Sequence, residues 1–136
     1  MRNPWTIRLL LRLMGLKFRK FSRLWQALLG IEIPDPFPKG LILPHPYGVV
    51  INFSSKIGEN CRIYQNVTIG SNQLGKVPII GSNVTIYAGA CVIGDVKVGN
   101  DVVVGANAVV IRDVPDGMIA VGVPARNFRN SKGLFL

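Results

Sequence analysis

Residues 79–110 read IIGSNVTIYAGACVIGDVKVGNDVVVGANAVV. Within them Ile80, Ile86, Val92, Val98, Val104 and Val110 recur in steps of six. The same step runs upstream through Ile51, Ile57, Ile63 and Ile69. One interval breaks it: Ile69 to Ile80 is eleven residues, a step of six with five inserted. A second series lies four residues after the first, at Ser55, Cys61, Val67, Val84, Ala90, Val96, Val102, Ala108 and Val114, all small or β-branched. Glycine directly follows the aliphatic residue at Gly58, Gly70, Gly81, Gly99 and Gly105. A helix would repeat every ~3.6 residues and a lone strand every ~2. A period of six residues over more than sixty predicts a parallel β-helix of hexapeptide repeats.

Each hexad is then a short strand and a turn. Three hexads make a triangular coil of eighteen residues, and coils stack at about 4.8 Å, the spacing of paired strands. The aliphatic residue points into the prism and packs on its equivalent in the next coil. Five extra residues cannot fit the wall, so Ser71 to Pro78 is expected to project from one corner as a loop. About four coils fit between Gly40 and Pro115, a short stack held by neighbour-to-neighbour burial.

Composition agrees with one all-β domain plus an appendage. The chain has 136 residues, 49% of them hydrophobic. Two cysteines give neither a disulfide framework nor a metal cluster. Cys61 is expected to pack inside and Cys91 to face out. The net charge of +9 is unevenly placed: residues 1–31 hold seven basic side chains and no acid, and the rest hold nine basic and seven acidic. The β-helix is therefore nearly neutral and has no nucleic-acid footprint.

The leader, residues 1–30, reads as a basic amphipathic helix. Arg8, Arg12, Arg19 and Arg23 fall on one face at about 100° per residue. Leu10, Leu13, Met14, Phe18, Phe21, Leu24, Trp25 and Leu28 cover the other, with Gly15 as a point of breakage. No apolar run approaches the ~20 residues needed to span a bilayer, and no signal-peptide pattern is present. Two uses remain open for residues 1–29: peripheral contact with an anionic membrane surface, or packing on the β-helix or a neighbouring subunit. A proline cluster follows, Pro34, Pro36, Pro38, Pro44 and Pro46. Proline rejects helix and sheet interiors, so this segment is expected to be an extended link entering the first coil irregularly. It carries the only histidine, His45.

Three stretches carry a family resemblance: GLILPHPYGVVI (40–51), IGENCRIYQNVTIG (57–70) and VTIYAGACVIGDVKVGNDVVVGANAVVIRDVPDGMIAVGVPAR (84–126). Together they resemble the serine O-acetyltransferase branch of the hexapeptide acyltransferases, over roughly residues 30–127. The hexads are shared widely; PHPYG, YQNVTIG and GVPAR are the specific part. The resemblance implies a left-handed parallel β-helix, against the usual right-handed crossover, assembled as a homotrimer with sites between subunits. It sets the domain at 31–127, with a tail at 128–136.

The resemblance also puts a catalytic histidine at His45. The chemistry is apt: moving an acetyl group from a thioester to a hydroxyl requires removal of the hydroxyl proton, and a neutral imidazole suits that task. Family members orient this histidine with a carboxylate some fifteen residues earlier. That spacing lands on Gly30, a two-residue shift selects Glu32, and Asp35 is the second choice. Acetyl-CoA is the implied co-substrate, with no metal. Ala88 and Ala106 lie eighteen residues apart, each two after its hexad aliphatic, and should stack on one ridge. Ser71 holds the same hexad position before the insertion. The resemblance gives Ser71, Ala88 and Ala106 to the acyl-CoA channel, with Gly122, Pro124 and Ala125 closing it and Arg126 facing a phosphate.

Two departures bear on the acceptor. Serine-specific members carry an Arg-His-Pro segment in the inserted loop, where this chain has Lys76 and Val77, so Lys76 becomes the substrate-binding candidate. They also carry a much longer helical N-terminal domain. A sugar hydroxyl in envelope or capsule synthesis is therefore a rival to serine, and a non-catalytic scaffold is a further alternative. The chain ends GLFL, without the terminal isoleucine that docks family members on cysteine synthase, so that partner is not expected. γ-Class carbonic anhydrases share the fold, but their zinc requires three histidines, which a single histidine per chain cannot supply. The expected location is cytoplasmic, with peripheral contact at the inner face of the membrane.

Overall fold

The computed structural model describes residues 27–28, 30–34 and 37–130. Asp35, the GLFL tail and all of the leader except residues 27, 28 and 30 lie outside these residues. The described chain is a parallel β-helix with three walls. The first wall stacks β1 (Val50–Ile51), β4 (Thr68–Gly70), β7 (Cys91–Ile93) and β10 (Val109–Val110). The second stacks β2 (Lys56–Ile57), β5 (Ile79–Ile80) and β8 (Lys97–Val98). The third stacks β3 (Arg62–Ile63), β6 (Thr85–Ile86) and β9 (Val103–Val104), then β11 (Met118–Gly122) and β12 (Ala125–Arg129). The chain visits the walls in that order on every turn.

Pairing reads out the hexad arithmetic. Val50 pairs with Thr68, Ile79 with Lys97 and Thr85 with Val103, each a step of eighteen. Pairs that straddle the insertion step by twenty-three instead: Lys56 with Ile79, Arg62 with Thr85 and Thr68 with Cys91. The five extra residues thus leave every wall intact. They form a loop organised by Asn72, whose Oδ1 accepts from the backbone N–H groups of Leu74 and Lys76, both at 3.0 Å.

Both predicted series point inward. Ile51, Ile63, Ile69, Ile86, Val92 and Val104 are completely buried, as are Cys61, Val67, Val84, Ala90, Val102 and Ala108. Ile57 is only partly covered, because β2 is the end strand of its wall. The first coil starts earlier than the hexads suggest. Ile31 and Ile33 are buried, and Glu32 bridges to Val50 in parallel. The expected extended link is thus partly built into the stack. At the other end, β11 and β12 form an antiparallel hairpin that carries the folded chain through Arg129. No described helix is long and apolar enough to cross a membrane.

Corners need residues that accept left-handed backbone. Asn60, Asn83 and Asp101 supply it at one corner, with φ of 58°, 57° and 57°, and asparagine and aspartate tolerate that region better than other side chains. On the second wall the requirement is different: Gly58, Gly81 and Gly99 stack directly. A Cβ on Gly81 would lie 2.7 Å from the carbonyl carbon and oxygen of Gly99, and backbone cannot yield as a side chain can. We expect Gly81→Ala to destabilise the fold by about 1–3 kcal/mol, the usual cost of overpacking. An unchanged urea-unfolding midpoint would show that the coils separate freely here.

Candidate active site

His45 stands at the corner where the third wall turns into the first. Leu43 and Val49 are the inward residues either side of it. In the next coil, Ile63 and Val67 are their counterparts. Ile42 pairs with Arg62, a step of twenty, whereas Val50 pairs with Thr68, a step of eighteen. Two surplus residues are therefore taken up between them, in PHPYG. They bulge outward in a tight turn, in which Tyr47 N–H donates to the His45 carbonyl at 2.9 Å, and Gly48 closes the corner at φ 61°. The His45 side chain is exposed on this bulge.

Below it runs an aromatic column. The imidazole and the Tyr64 ring have centroids 6.4 Å apart, tilted by 48°. Tyr64 stacks on Tyr87 at 5.1 Å and 21°. Each tyrosine directly follows an inward isoleucine of the third wall. Beside this column runs a ridge of corner residues two positions after each inward residue: Gln65, Ala88, Ala106 and, by the register of β11 on β9, Gly122. Ala88 and Ala106 are thus stacked as predicted. The Gln65 carbonyl accepts from Gly89, and the Ala88 carbonyl from Asn107. Gln65 Oε1 is buried without a partner among the described residues. The ridge ends at the turn of the hairpin, where Val123–Pro124 is cis. Gly122, Pro124 and Arg126 are exposed there, and Ala125 half-buried.

Other predicted residues lie elsewhere. Ser71 follows β4, so it belongs to the corner between first and second walls, not to the Ala88–Ala106 ridge. Lys76 is exposed on the inserted loop at that same corner. A single chain therefore does not bring Ser71 or Lys76 to His45. Glu32 is held beside the His45 corner by its backbone: its N–H donates to the Val49 carbonyl at 2.9 Å, and its carbonyl accepts from Ile51 at 2.7 Å. No hydrogen bond or ion pair joins its exposed carboxylate to His45 among the described residues. The tyrosine column and the bulge escaped the sequence reading. Tyr64 and Tyr87 sit at the hexad position after the aliphatic, where glycine stands in five other repeats, and that contrast was the available signal.

Among the described residues no cluster of His, Cys, Asp and Glu could hold a metal ion. Cys61 is interior, and its thiol donates to the Gly81 carbonyl at 3.2 Å. Burial pushes the Cys61 thiol up from its ordinary value, opposed by a backbone hydrogen bond at Val84. A raised thiol holds less of the reactive thiolate at neutral pH. In native protein at pH 7, iodoacetamide should therefore label half-buried Cys91 well before Cys61. Equal labelling, read by peptide mass spectrometry, would contradict the packed position of Cys61.

The bacterial transferase hexapeptide (six repeats) model matches residues 78–112. A serine acetyltransferase from Helicobacter pylori (strain J99) is 40% identical over 119 residues, 84% of this chain and 70% of that protein. The chain belongs to the serine acetyltransferase family. A member from Synechococcus elongatus is 41% identical over 113 residues, 79% of this chain. This chain spans about half of that relative, 46% of its length. A solved structure of a serine acetyltransferase in complex with CoA superposes with a TM-score of 0.61 at 36% identity, covering 65% of this chain and 37% of that one.

Proposed function

We propose that this chain is an acetyl-CoA-dependent O-acetyltransferase with serine as acceptor and His45 as general base. The observation that carries the reading is the setting of the chain's only histidine. It is lifted on a two-residue bulge at the head of a ridge of small corner residues. In this reading, the imidazole takes the acceptor's hydroxyl proton as that oxygen attacks the thioester carbonyl, and returns it to the departing CoA thiolate. Such proton transfer contributes about 10²–10⁴-fold. Glu32, which bridges to Val50 beside this corner, is the carboxylate proposed to stabilise the imidazolium by charge. The CoA complex of a related serine acetyltransferase supports the donor, and membership of that family supports the acceptor.

The pantetheine arm would run along Ala88 and Ala106 toward Gly122, Pro124 and Ala125, with Arg126 facing a phosphate. Among the described residues the amide N–H groups of Ala88 and Ala106 make no hydrogen bond within the chain. Ser71 and Lys76 stand at another corner, so their proposed roles in donor and acceptor binding require a second copy. That is the argument for a homotrimer with shared sites. A sugar hydroxyl is the second reading, favoured by Lys76–Val77 in the loop and by the basic leader, which suits peripheral membrane contact from the cytoplasm.

His45→Ala should lower turnover by about 10²–10⁴ while acetyl-CoA binding persists. Full activity in that variant would remove the mechanism. A thiol-release assay with serine, homoserine and sugar acceptors separates the two acceptor readings. Ala88→Leu or Ala106→Leu should fill the groove between coils and weaken CoA binding. Thermal stabilisation by CoA reads this directly, and undiminished stabilisation in both folded variants would put the donor elsewhere.

A further inference from the structure

A general base must be aimed as well as present, and among the described residues no hydrogen bond aims His45. Neither a hydrogen bond nor an ion pair joins its ring to the Glu32 carboxylate. Pro44 and Pro46 fix the backbone on either side through their locked φ. The side-chain torsions are left to packing, and the packing partner is Tyr64. A 6.4 Å tilted contact falls inside the ~4.5–7 Å range where aromatic rings attract one another. Tyr64 is itself immobilised. Its backbone N–H donates to the Ile86 carbonyl at 3.0 Å, Tyr87 N–H donates to the Val104 carbonyl at 2.9 Å, and the two rings stack. Both side chains are half-buried. The column is thus a rigid floor, built on the coil ladder, that ends against the imidazole.

We propose that Tyr64, backed by Tyr87, is the positioning residue for the His45 imidazole, fixing by ring packing the ring plane that no hydrogen bond fixes, while Glu32 is left to act on the imidazolium by charge. The inference rests on His45 acting as the base. Ring packing sets the plane of the imidazole and leaves both nitrogens free, which suits a base that must first take a proton and then return it. It also makes a specific demand. The aromatic ring matters and the phenol hydroxyl does not.

The test uses the full chain with Tyr64→Phe, Tyr64→Leu and Tyr87→Leu. Because the chain has one histidine, its ring protons can be followed singly by NMR. In wild type and Tyr64→Phe, the His45 ring signals should show the same aromatic ring-current displacement. In Tyr64→Leu that displacement should vanish. With serine and acetyl-CoA, Tyr64→Phe should stay within about 2-fold of wild type. Tyr64→Leu should lose about 10–100-fold in kcat, the scale of a misplaced catalytic group, with the KM for acetyl-CoA unchanged. Tyr87→Leu should fall between. Unchanged kcat in Tyr64→Leu overturns the proposal, and so does a Phe variant as impaired as the Leu one. If wild type transfers no acetyl group, the functional reading fails on its own, and the NMR displacement still decides whether Tyr64 holds the imidazole.

Discussion

One constraint governs the molecule: every sixth residue must be a branched aliphatic that fits a narrow prism. Burying each such side chain contributes about 1.5–3 kcal/mol relative to leaving it in water, and each packs only on its own coil and the coils next to it. The interior is therefore full. Ile69, Val92 and Val110 stack along one wall with no exposed surface to speak of, and no ligand can enter. Everything that touches another molecule has to be built at corners and on outer walls. The insertion obeys the same rule. It changes the step between paired residues from eighteen to twenty-three, yet Ile57 still meets Ile80 and Ile63 still meets Ile86.

The prism was legible for that reason. Period six is a statement about which side chains are buried, and burial is what the hydrophobic pattern encodes. The loop at 71–78 followed from the same count. Where the pattern stops, legibility stops too. Ile31 and Ile33 carry only two inward positions, too few to show a period, so the start of the first coil was not visible. The β11–β12 hairpin replaces parallel stacking by antiparallel pairing, and its burial, with Ile119 and Ala120 both inside and β12 mostly exposed, follows no repeat.

The geometry of the candidate site was half legible. His45 stood out as a single histidine in a distinctive segment, and the Ala88–Ala106 ridge followed from spacing. Ser71 shared their hexad position but not their wall. A step of six moves a residue to the next wall, and only steps of a whole coil keep it on the same ridge. Ala88 and Ala106 differ by a coil; Ser71 and Ala88 do not. The tyrosine column was hidden by the insertion, which separates Tyr64 and Tyr87 by twenty-three positions where adjacent coils otherwise differ by eighteen.

The bulge that carries His45 depends on its place at the end of the stack. At this corner each coil donates to the one before it: Asn66 N–H to the Tyr47 carbonyl, Gly89 to Gln65, Asn107 to Ala88. An interior corner must therefore supply both a donor and an acceptor. Residues 44–47 of the first corner need only the acceptor, because among the described residues the earlier pass, at Glu32, pairs from Val49 onward and donates or accepts nothing before it. Proline, which lacks the N–H, costs no rung there, so Pro44 and Pro46 can flank His45 without breaking the ladder. The two surplus residues also meet a neighbour on one side only and can bend outward. A histidine set between prolines on a distorted corner is thus compatible with the repeat at its first coil. One coil deeper, the same segment would delete donors that the coil above requires. The end of the prism is where this fold can afford irregular backbone, and the flat ladder immediately beneath supplies the rigid surface, Tyr64 on Tyr87, against which an irregular segment can be held in one orientation.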